Sequence, residues 1–246
     1  MNTPTWTHLL DALRPLTARR GLDLVQPLTA GAYNAAVPER FAVPELGRAE
    51  TLVLLVGNSR ALWEPLLDAL ARDPALRRDP NPVDRYVREA LLEALGELEG
   101  LPRWEVRWAH GATIFAAQRM AEISGLAARS ASFLSVHPEF GPWIGLRAAI
   151  SVDLPGPERL PEASPCQHCA ERCGPLFEQV MDRSRRVDFA AVREGWRAWL
   201  AVRDACPIGR EHRYSARQLR YHYTHDREVL EEALRKRGSA QSGQGT

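Results

Sequence analysis

The run Thr51-Leu-Val-Leu-Leu-Val-Gly57 most narrows what this chain can become. A strand with no polar face has nothing to offer water, so it belongs at the centre of a sheet covered on both sides. Asn58-Ser59 caps a helix from Arg60 to about Arg72, with Leu62, Trp63, Leu66, Leu67 and Leu70 inward. A second helix is expected over 84–98, an alternating strand over 103–108 and a third helix over 112–128. Strands alternating with helices predict an α/β or α+β fold with a mixed sheet.

The flanks fit that core. Leu9, Leu10 and Leu13 share one face of a short N-terminal helix ended by Gly21, and a strand over 22–28 precedes a loop punctuated by Pro38 and Pro44. Glu139-Phe-Gly-Pro reads as a hairpin turn leading into a strand over 143–155. In regular alternation Ile144, Leu146, Ala148, Ile150 and Val152 are core, while Gly145, Arg147, Ala149 and Ser151 form a small-residue face lining a cavity. Later come a helix over 187–203 burying Phe189, Val192, Trp196, Trp199 and Leu200, then helices over 216–223 and 226–237. The expected organisation is an α/β body over 1–155, a cysteine-bearing and helical region over 156–237 packed on that body, and a disordered tail over 238–246.

The charge balance, 32 basic against 31 acidic residues, argues against a protein that coats nucleic acid. Lys236 is the only lysine, so arginine is the default cation and no single arginine is informative by type alone. The first residues have no basic n-region followed by an apolar h-region, and no stretch approaches the roughly 18–20 apolar residues of a membrane span. The expectation is a cytoplasmic protein with no membrane partner.

All four cysteines fall in one region, Cys166-Gln-His-Cys169-Ala-Glu-Arg-Cys173 and then Cys206-Pro207 after 32 further residues. Clustered thiols in an intracellular protein bind metals or clusters more often than they form disulfides. The spacing lies near iron–sulfur grammar without matching it, and a [4Fe–4S] cluster or a four-thiolate zinc site would need the same four residues. Buried reduced thiols are the plainer alternative. His168 is a substitute ligand or a solvated side chain.

Arg147 on a small-residue face is unusual for a cation. Arg203 at a helix end offsets the macrodipole in any case, and Arg227 on a helical tail is ordinarily solvated. His110, between a strand and a helix, occupies a position where α/β folds hold ligands, though a surface histidine is the commoner case. The Walker A, G-x-G-x-x-G, G-x-S-x-G and H-E-x-x-H motifs do not occur, which removes the commonest nucleotide, hydrolase and metalloprotease readings.

Several segments then combine: Ala32-Tyr33-Asn34 with Pro38 and Phe41, Thr51 to Val56, Pro82-Val83-Asp84, and His137-Pro-Glu-Phe-Gly-Pro-Trp-Ile-Gly-Leu-Arg147. Arg197-Ala-Trp199, Arg203-Asp-Ala and Glu211-His-Arg-Tyr214-Ser215 follow. In this order, over roughly residues 20–232, the chain resembles the CblC-type (MMACHC-like) family of cobalamin-processing proteins. The resemblance implies a flavin-reductase/nitroreductase-like α+β fold, a mixed sheet flanked by helices with a C-terminal helical region, and cobalamin held in a large cavity. It implies reductive decyanation with a reduced flavin (FMN or FAD) and dealkylation by glutathione thiolate. Arg147, Arg203 and Arg227 would hold glutathione near the corrin, and His110, Gln118, Trp143 and Tyr214 would line the corrin pocket. Bidentate arginines bind carboxylates and favour the thiolate, which is the nucleophile.

The cysteine quartet departs from the animal members of that family. Epoxyqueuosine reductases and reductive dehalogenases join a related corrinoid-binding fold to iron–sulfur clusters, so the chain looks intermediate, with a cluster able to supply electrons. Two rivals stand beside a cobalamin-processing enzyme: an epoxyqueuosine-reductase-like enzyme, and a non-enzymatic corrinoid chaperone with a structural zinc. The expected partners are a corrinoid and an electron-donor protein, with nucleic acid disfavoured. A monomer and a homodimer both fit the sequence.

Overall fold

In a computed structural model, described over residues 5–111, 113–163, 166, 171–184 and 188–242, the apolar run becomes the second strand of a four-stranded sheet. The first half of the chain forms α1 (Trp6–Ala18), β1 (Leu24–Thr29), α2 (Ala30–Asn34), β2 (Thr51–Asn58), α3 (Trp63–Arg72), α4 (Pro74–Arg78), α5 (Pro82–Gly96) and β3 (Trp104–Trp108). There follow α6 (Ala117–Ile123), β4 (Ala128–Arg129), β5 (Ser135–Val136) and β6 (Gly145–Pro155). The C-terminal part is helical: α7 (Cys173–Ser184), α8 (Phe189–Glu194), α9 (Trp196–Asp204), α10 (Ala216–Thr224) and α11 (Arg227–Ser242).

All eight residues of β2 are buried, and their side chains alternate between two cores. Leu52, Leu54 and Val56 pack with Leu13 of α1, Leu66 and Leu70 of α3 and Leu91 of α5. Val53 and Leu55 pack on the opposite face with Tyr33, Phe115, Met120 and Leu126. The strand order is β1-β2-β6-β3 and every neighbouring pair is antiparallel, which corrects the expected mixed sheet. β2 and β3, joined through α3, α4 and α5, do run in the same direction, hence the strand–helix–strand pattern of the sequence. β6 inserts between them and pairs antiparallel with each.

Further expectations change for local reasons. The helix expected over 112–128 shrinks to α6, because Ala116 is extended (φ −78°, ψ 77°) and its N–H donates to the Tyr33 hydroxyl at 2.7 Å. Tyr33 in turn donates to the Phe41 carbonyl at 3.1 Å, tying two loops together. The helix expected over 187–203 breaks into α8 and α9 at Gly195, where glycine takes φ −90°, ψ 20° at little cost, and Phe189 is 52% exposed instead of buried. α11 continues to Ser242, past the expected start of the tail at 238. Residues 243–246 lie outside the described residues.

β6 carries the irregularity that positions the site. Val56 faces Ala148 but the next residue, Gly57, faces Leu146, so Arg147 is an extra residue opposite β2. Such a bulge re-aims a side chain and breaks the two-residue period. Ala148, Ile150 and Val152 therefore belong to the first core, while Ile144 and Leu146 join Ala149 in the second. The small-residue face expected to line a cavity does not do so, since Ala149 and Ser151 are each 1% exposed; Arg147 alone is turned out of it.

Two glycines lock the turn before β6 to the chain after α9. Gly141 (φ 57°) and Gly209 (φ 67°) lie back to back: a Cβ on Gly141 would sit 2.0 Å from the Ile208 oxygen, and one on Gly209 would sit 2.2 Å from the Phe140 carbonyl carbon. His137 and Gly141 exchange both backbone hydrogen bonds at 2.9 Å, closing the expected hairpin turn.

Candidate functional site

At the end of β2 and the start of β6, both strands, α3, the first turn of α5 and α10 enclose a cavity of about 560 Å³, within the usual range for small-molecule sites. The wall draws on Arg147 and Asn58 from the sheet, and on Tyr214, Gln218, Tyr221 and His222 from the C-terminal region. His110, His225, Asp84 and Phe189 complete the polar and aromatic part of its rim.

Arg147 enters because of the bulge. Its Nε donates to Asn58 Oδ1 at 2.6 Å, and Nη1 lies 3.9 Å from Asp84 Oδ1, too long for a hydrogen bond. Burial lowers its pKa, partly offset by Tyr214 and Asp84, yet an arginine stays charged. It is thus a partly dehydrated cation whose terminal N–H groups make no hydrogen bond among the described residues and suit a planar anion. Asn58, expected as a helix cap, instead holds this guanidinium, and Ser59 Oγ does the capping by accepting from Ala61 N–H at 3.2 Å.

Arg203 lies behind the wall and is occupied by the protein. It is 6% exposed; its Nε donates to the Pro142 carbonyl at 2.9 Å and its Nη2 to that of Ile144 at 3.3 Å. Its guanidinium also sits 5.2 Å from the Trp143 ring centroid and 5.4 Å from that of Tyr214. Nη1 lies 3.2 Å from His222 Nε2, and because a guanidinium can only donate, that nitrogen is the acceptor and Nδ1 carries the hydrogen. Burial holds the His222 pKa well below the usual histidine range, with Arg203, Arg147 and His225 adding to the shift. His222 therefore offers the cavity a neutral ring of one tautomer. Tyr214 keeps its proton, since burial raises its pKa against the opposing pull of Arg203 and Arg147.

The remaining sequence-expected residues separate. His110 lines the cavity. Trp143 is 1% exposed and lies beneath Tyr214, with ring centroids 5.8 Å apart, so it supports the wall and is not part of it. Gln118 belongs to α6 on the opposite face of the sheet and donates to the Phe133 carbonyl at 2.6 Å. Arg227 caps the C-terminal end of α4, donating to the carbonyls of Arg77, Arg78 (3.3 Å) and Asp79 (3.0 Å). The residues missed by sequence reasoning, Gln218, Tyr221, His222 and His225, recur at i, i+3, i+4, i+7; this polar and aromatic stripe was the available signal.

α7 packs against α9, bringing Cys173 at the head of one helix near Cys206 just beyond the other. The two are buried, 2% and 4% exposed, and burial, with Cys173 alongside, raises the Cys206 pKa. Cys166 is packed against the same cluster and is disulfide-bonded. Cys169 and His168 lie outside the described residues. Among the described residues no group of three His, Cys, Asp or Glu side chains forms a metal-binding set. No described helix is long and apolar enough to cross a membrane.

No family model matches the chain. Over 225 residues it is 29% identical to the human cyanocobalamin reductase / alkylcobalamin dealkylase, covering 81% of this chain and 72% of that protein. The bovine protein of the same name is 26% identical over 221 residues, with the same coverage. The fold is similar to that of the C. elegans B12-trafficking protein CblC, a human MMACHC homologue, with a TM-score of 0.66, 15% identity, and coverage of 90% of this chain and 95% of that one. An epoxyqueuosine reductase solved with a modified tRNA stem loop shares the fold more loosely, with a TM-score of 0.52, 15% identity, and coverage of 91% and 70%. In sequence the chain is similar to the mammalian cyanocobalamin reductase / alkylcobalamin dealkylases, and in fold to the nematode CblC protein.

Proposed function

We propose that the protein binds a corrinoid in the 560 Å³ cavity and removes its upper axial ligand, by reductive decyanation or by dealkylation. The observation that carries this is Arg147, a bulge-presented cation in a cavity whose other lining groups, Asp84 on the rim apart, are polar, apolar or aromatic, in a chain similar to enzymes of that name. In decyanation one electron reduces cobalt(III) to cobalt(II), and cyanide leaves with the Co–C pair. In dealkylation a thiolate attacks the alkyl carbon and the Co–C pair stays on cobalt. For that step Arg147 is the cation suited to a carboxylate of a thiol co-substrate such as glutathione. His222, neutral and held in one tautomer, donates a hydrogen bond without adding positive charge. Arg203 and Trp143 act by supporting the wall, and Arg227 by anchoring α11.

The test is a visible spectrum of the protein with cyanocobalamin, followed by reductant or glutathione under anaerobic conditions. Expected are a shifted corrinoid spectrum on binding and cyanide release faster than without protein, with Arg147→Met slowing the reaction at least tenfold. Unshifted spectra and background rates would refute the reading. Binding with no turnover would favour a corrinoid chaperone instead.

A second reading assigns a [4Fe–4S] cluster or a zinc ion to Cys166, Cys169, Cys173 and Cys206. Its support is the nearness of Cys173 to Cys206, and it requires the Cys166 disulfide to be reduced. Iron, sulfide and zinc analysis of anaerobically purified protein decides among cluster, zinc and plain thiols. An epoxyqueuosine-reductase-like activity has only the shared fold behind it, and the net charge of +1 weighs against a tRNA substrate.

A further inference from the structure

The four-stranded sheet has two edges, β1 and β3, and they are finished differently. β1 carries Pro27, and its Gln26 side chain donates to the Ser124 carbonyl at 2.8 Å, so that edge is blunted and tied to the chain beside it. β3 has no proline and no bulge, and it is bonded to β6 alone. Ala109 N–H donates to the Arg147 carbonyl and Asp153 N–H to the Arg103 carbonyl, both at 2.8 Å, so the odd-numbered residues of this stretch turn their backbone groups toward β6. By the alternation of an antiparallel ladder, Trp104, Val106 and Trp108 turn theirs outward.

The strand that carries this open edge reads Trp104-Glu105-Val106-Arg107-Trp108, which is complementary to itself when reversed. Glu105 and Arg107 share one face of the sheet, and Trp104, Val106 and Trp108 share the other, half-buried at the margin of the first core. Glu105 meets Arg103 of its own chain at 3.1 Å, and Arg107 has no carboxylate partner among the described residues. Beside the strand, the Arg88 guanidinium of α5 lies 4.6 Å from the centroid of the Trp108 ring. Leu92, one turn further along that face of α5, is 42% exposed.

We propose that two copies of this chain pair antiparallel along β3 about a two-fold axis at Val106. In that register Val106 meets its own copy and Trp104 meets the partner's Trp108, each pair exchanging both backbone hydrogen bonds. Glu105 meets the partner's Arg107 in the non-bonded position between them, where Cα atoms approach to about 4.5 Å and side chains are closest. Moving the axis by one residue opposes either the two Glu105 or the two Arg107 side chains, and like charges directly opposite destabilise a sheet. The charges therefore select one register. A single strand pair is small for a stable dimer, and the two tryptophans with Leu92 supply apolar area beside it on each copy of this isologous interface. The same register sets the partner's Arg103 opposite Ala109, next to His110 on the rim of the cavity, so the interface reaches the mouth of the site.

The experiment measures the mass of the full-length protein by sedimentation velocity and light scattering from micromolar to millimolar concentration. It compares wild type with Glu105→Arg, Arg107→Glu, the double swap Glu105→Arg/Arg107→Glu, and Val106→Pro, which removes one outward N–H and leaves the ladder to β6 intact. Wild type should be a dimer. Each single charge variant opposes like charges twice and should dissociate at least tenfold more readily, and Val106→Pro should be monomeric. An equimolar mixture of the two single variants should form a heterodimer, because every pair across the axis is again Glu opposite Arg, and the double swap should dimerise like wild type. Melting temperatures show that the variants fold; where a single variant melts lower, the double swap carries the test. Three results overturn the proposal. A monomeric wild type leaves the edge to a strand of another protein, and a dimer equally stable in all variants places the interface elsewhere. Single variants that fail to recombine, with a double swap that stays monomeric, rule out the two-fold register.

Discussion

Arg203 is a buried cation without a carboxylate partner among the described residues, and Arg203→Ala measures what it does. The substitution removes two charge-assisted bonds to the carbonyls of Pro142 and Ile144, each worth about 1.5–3 kcal/mol. It also removes the His222 contact and two ring contacts of about 0.5–1 kcal/mol each. Against these losses stands relief from holding a dehydrated charge, which is several kcal/mol in its own right. The net expectation is a destabilisation of about 3–4 kcal/mol, read as a lower urea midpoint at unchanged slope. Arg203→Lys recovers only part, because an ammonium cannot reach three acceptors in the fixed directions a guanidinium does. A ligand-holding role predicts the opposite pattern, cobalamin or glutathione affinity falling while stability stays within about 0.5 kcal/mol of wild type. That pattern would refute the reasoning. A further readout is His222, whose pKa rises toward 6.5 in the variant because Arg203 helps to depress it.

The pH dependence of stability has a definite sign. His222 titrates in the folded state well below 6.5, so between its folded pKa and 6.5 the unfolded chain binds more protons; stability is full above about pH 6.5 and is lost as pH falls through that window. His137 and His225, also lowered by burial, act in the same direction, and urea midpoints between pH 5 and 8 should show it, with His222→Asn flattening the curve. Gly141→Ala puts a methyl group against the Ile208 carbonyl at a left-handed φ and should cost about 3 kcal/mol or more by urea unfolding, whereas Gly47→Ala, whose Cβ meets nothing within 4 Å, costs only the strain of its φ of 97°. Asn58→Ala unties Arg147 and should raise the KM for a carboxylate-bearing co-substrate several-fold, at a cost of about 1–3 kcal/mol in stability for the buried charge-assisted bond it removes; an unaltered KM argues against Asn58 as a positioning residue.

Sequence periodicity located β2 and the inward faces of α3 and α5, because the residues that define them are apolar and their spacing is local. The direction of strand pairing was not legible, since β6 slots between β2 and β3 from far along the chain and no local pattern encodes that. Arg147 drew notice for the right oddity but on the wrong geometry. A bulge depends on the partner strand's register, and a single strand read alone offers only regular alternation. The cavity wall on α10 carried a readable stripe that was passed over, because histidine and tyrosine at helical spacing resemble a solvated face until something packs opposite. Arg203 and Arg227 illustrate the remaining limit: type and neighbours in sequence do not tell whether a guanidinium faces a ligand or the protein's own carbonyls.

The position of β6 in the chain also bears on how the protein reaches its native state. β2 is an eight-residue apolar strand whose first partner, β1, precedes it, but the partner for its other edge begins at Gly145, almost 90 residues later. At about 5–20 residues per second of synthesis, that edge waits on the order of 5–20 s with its N–H and C=O groups unmatched. An open, uncharged, β-prone edge is a template for association with other chains. The yield of soluble protein should therefore depend on translation speed and chaperone supply more than on final stability. Variants that weaken the β2–β6 pairing should appear first as aggregation during expression, before any loss of thermal stability in the molecules that fold.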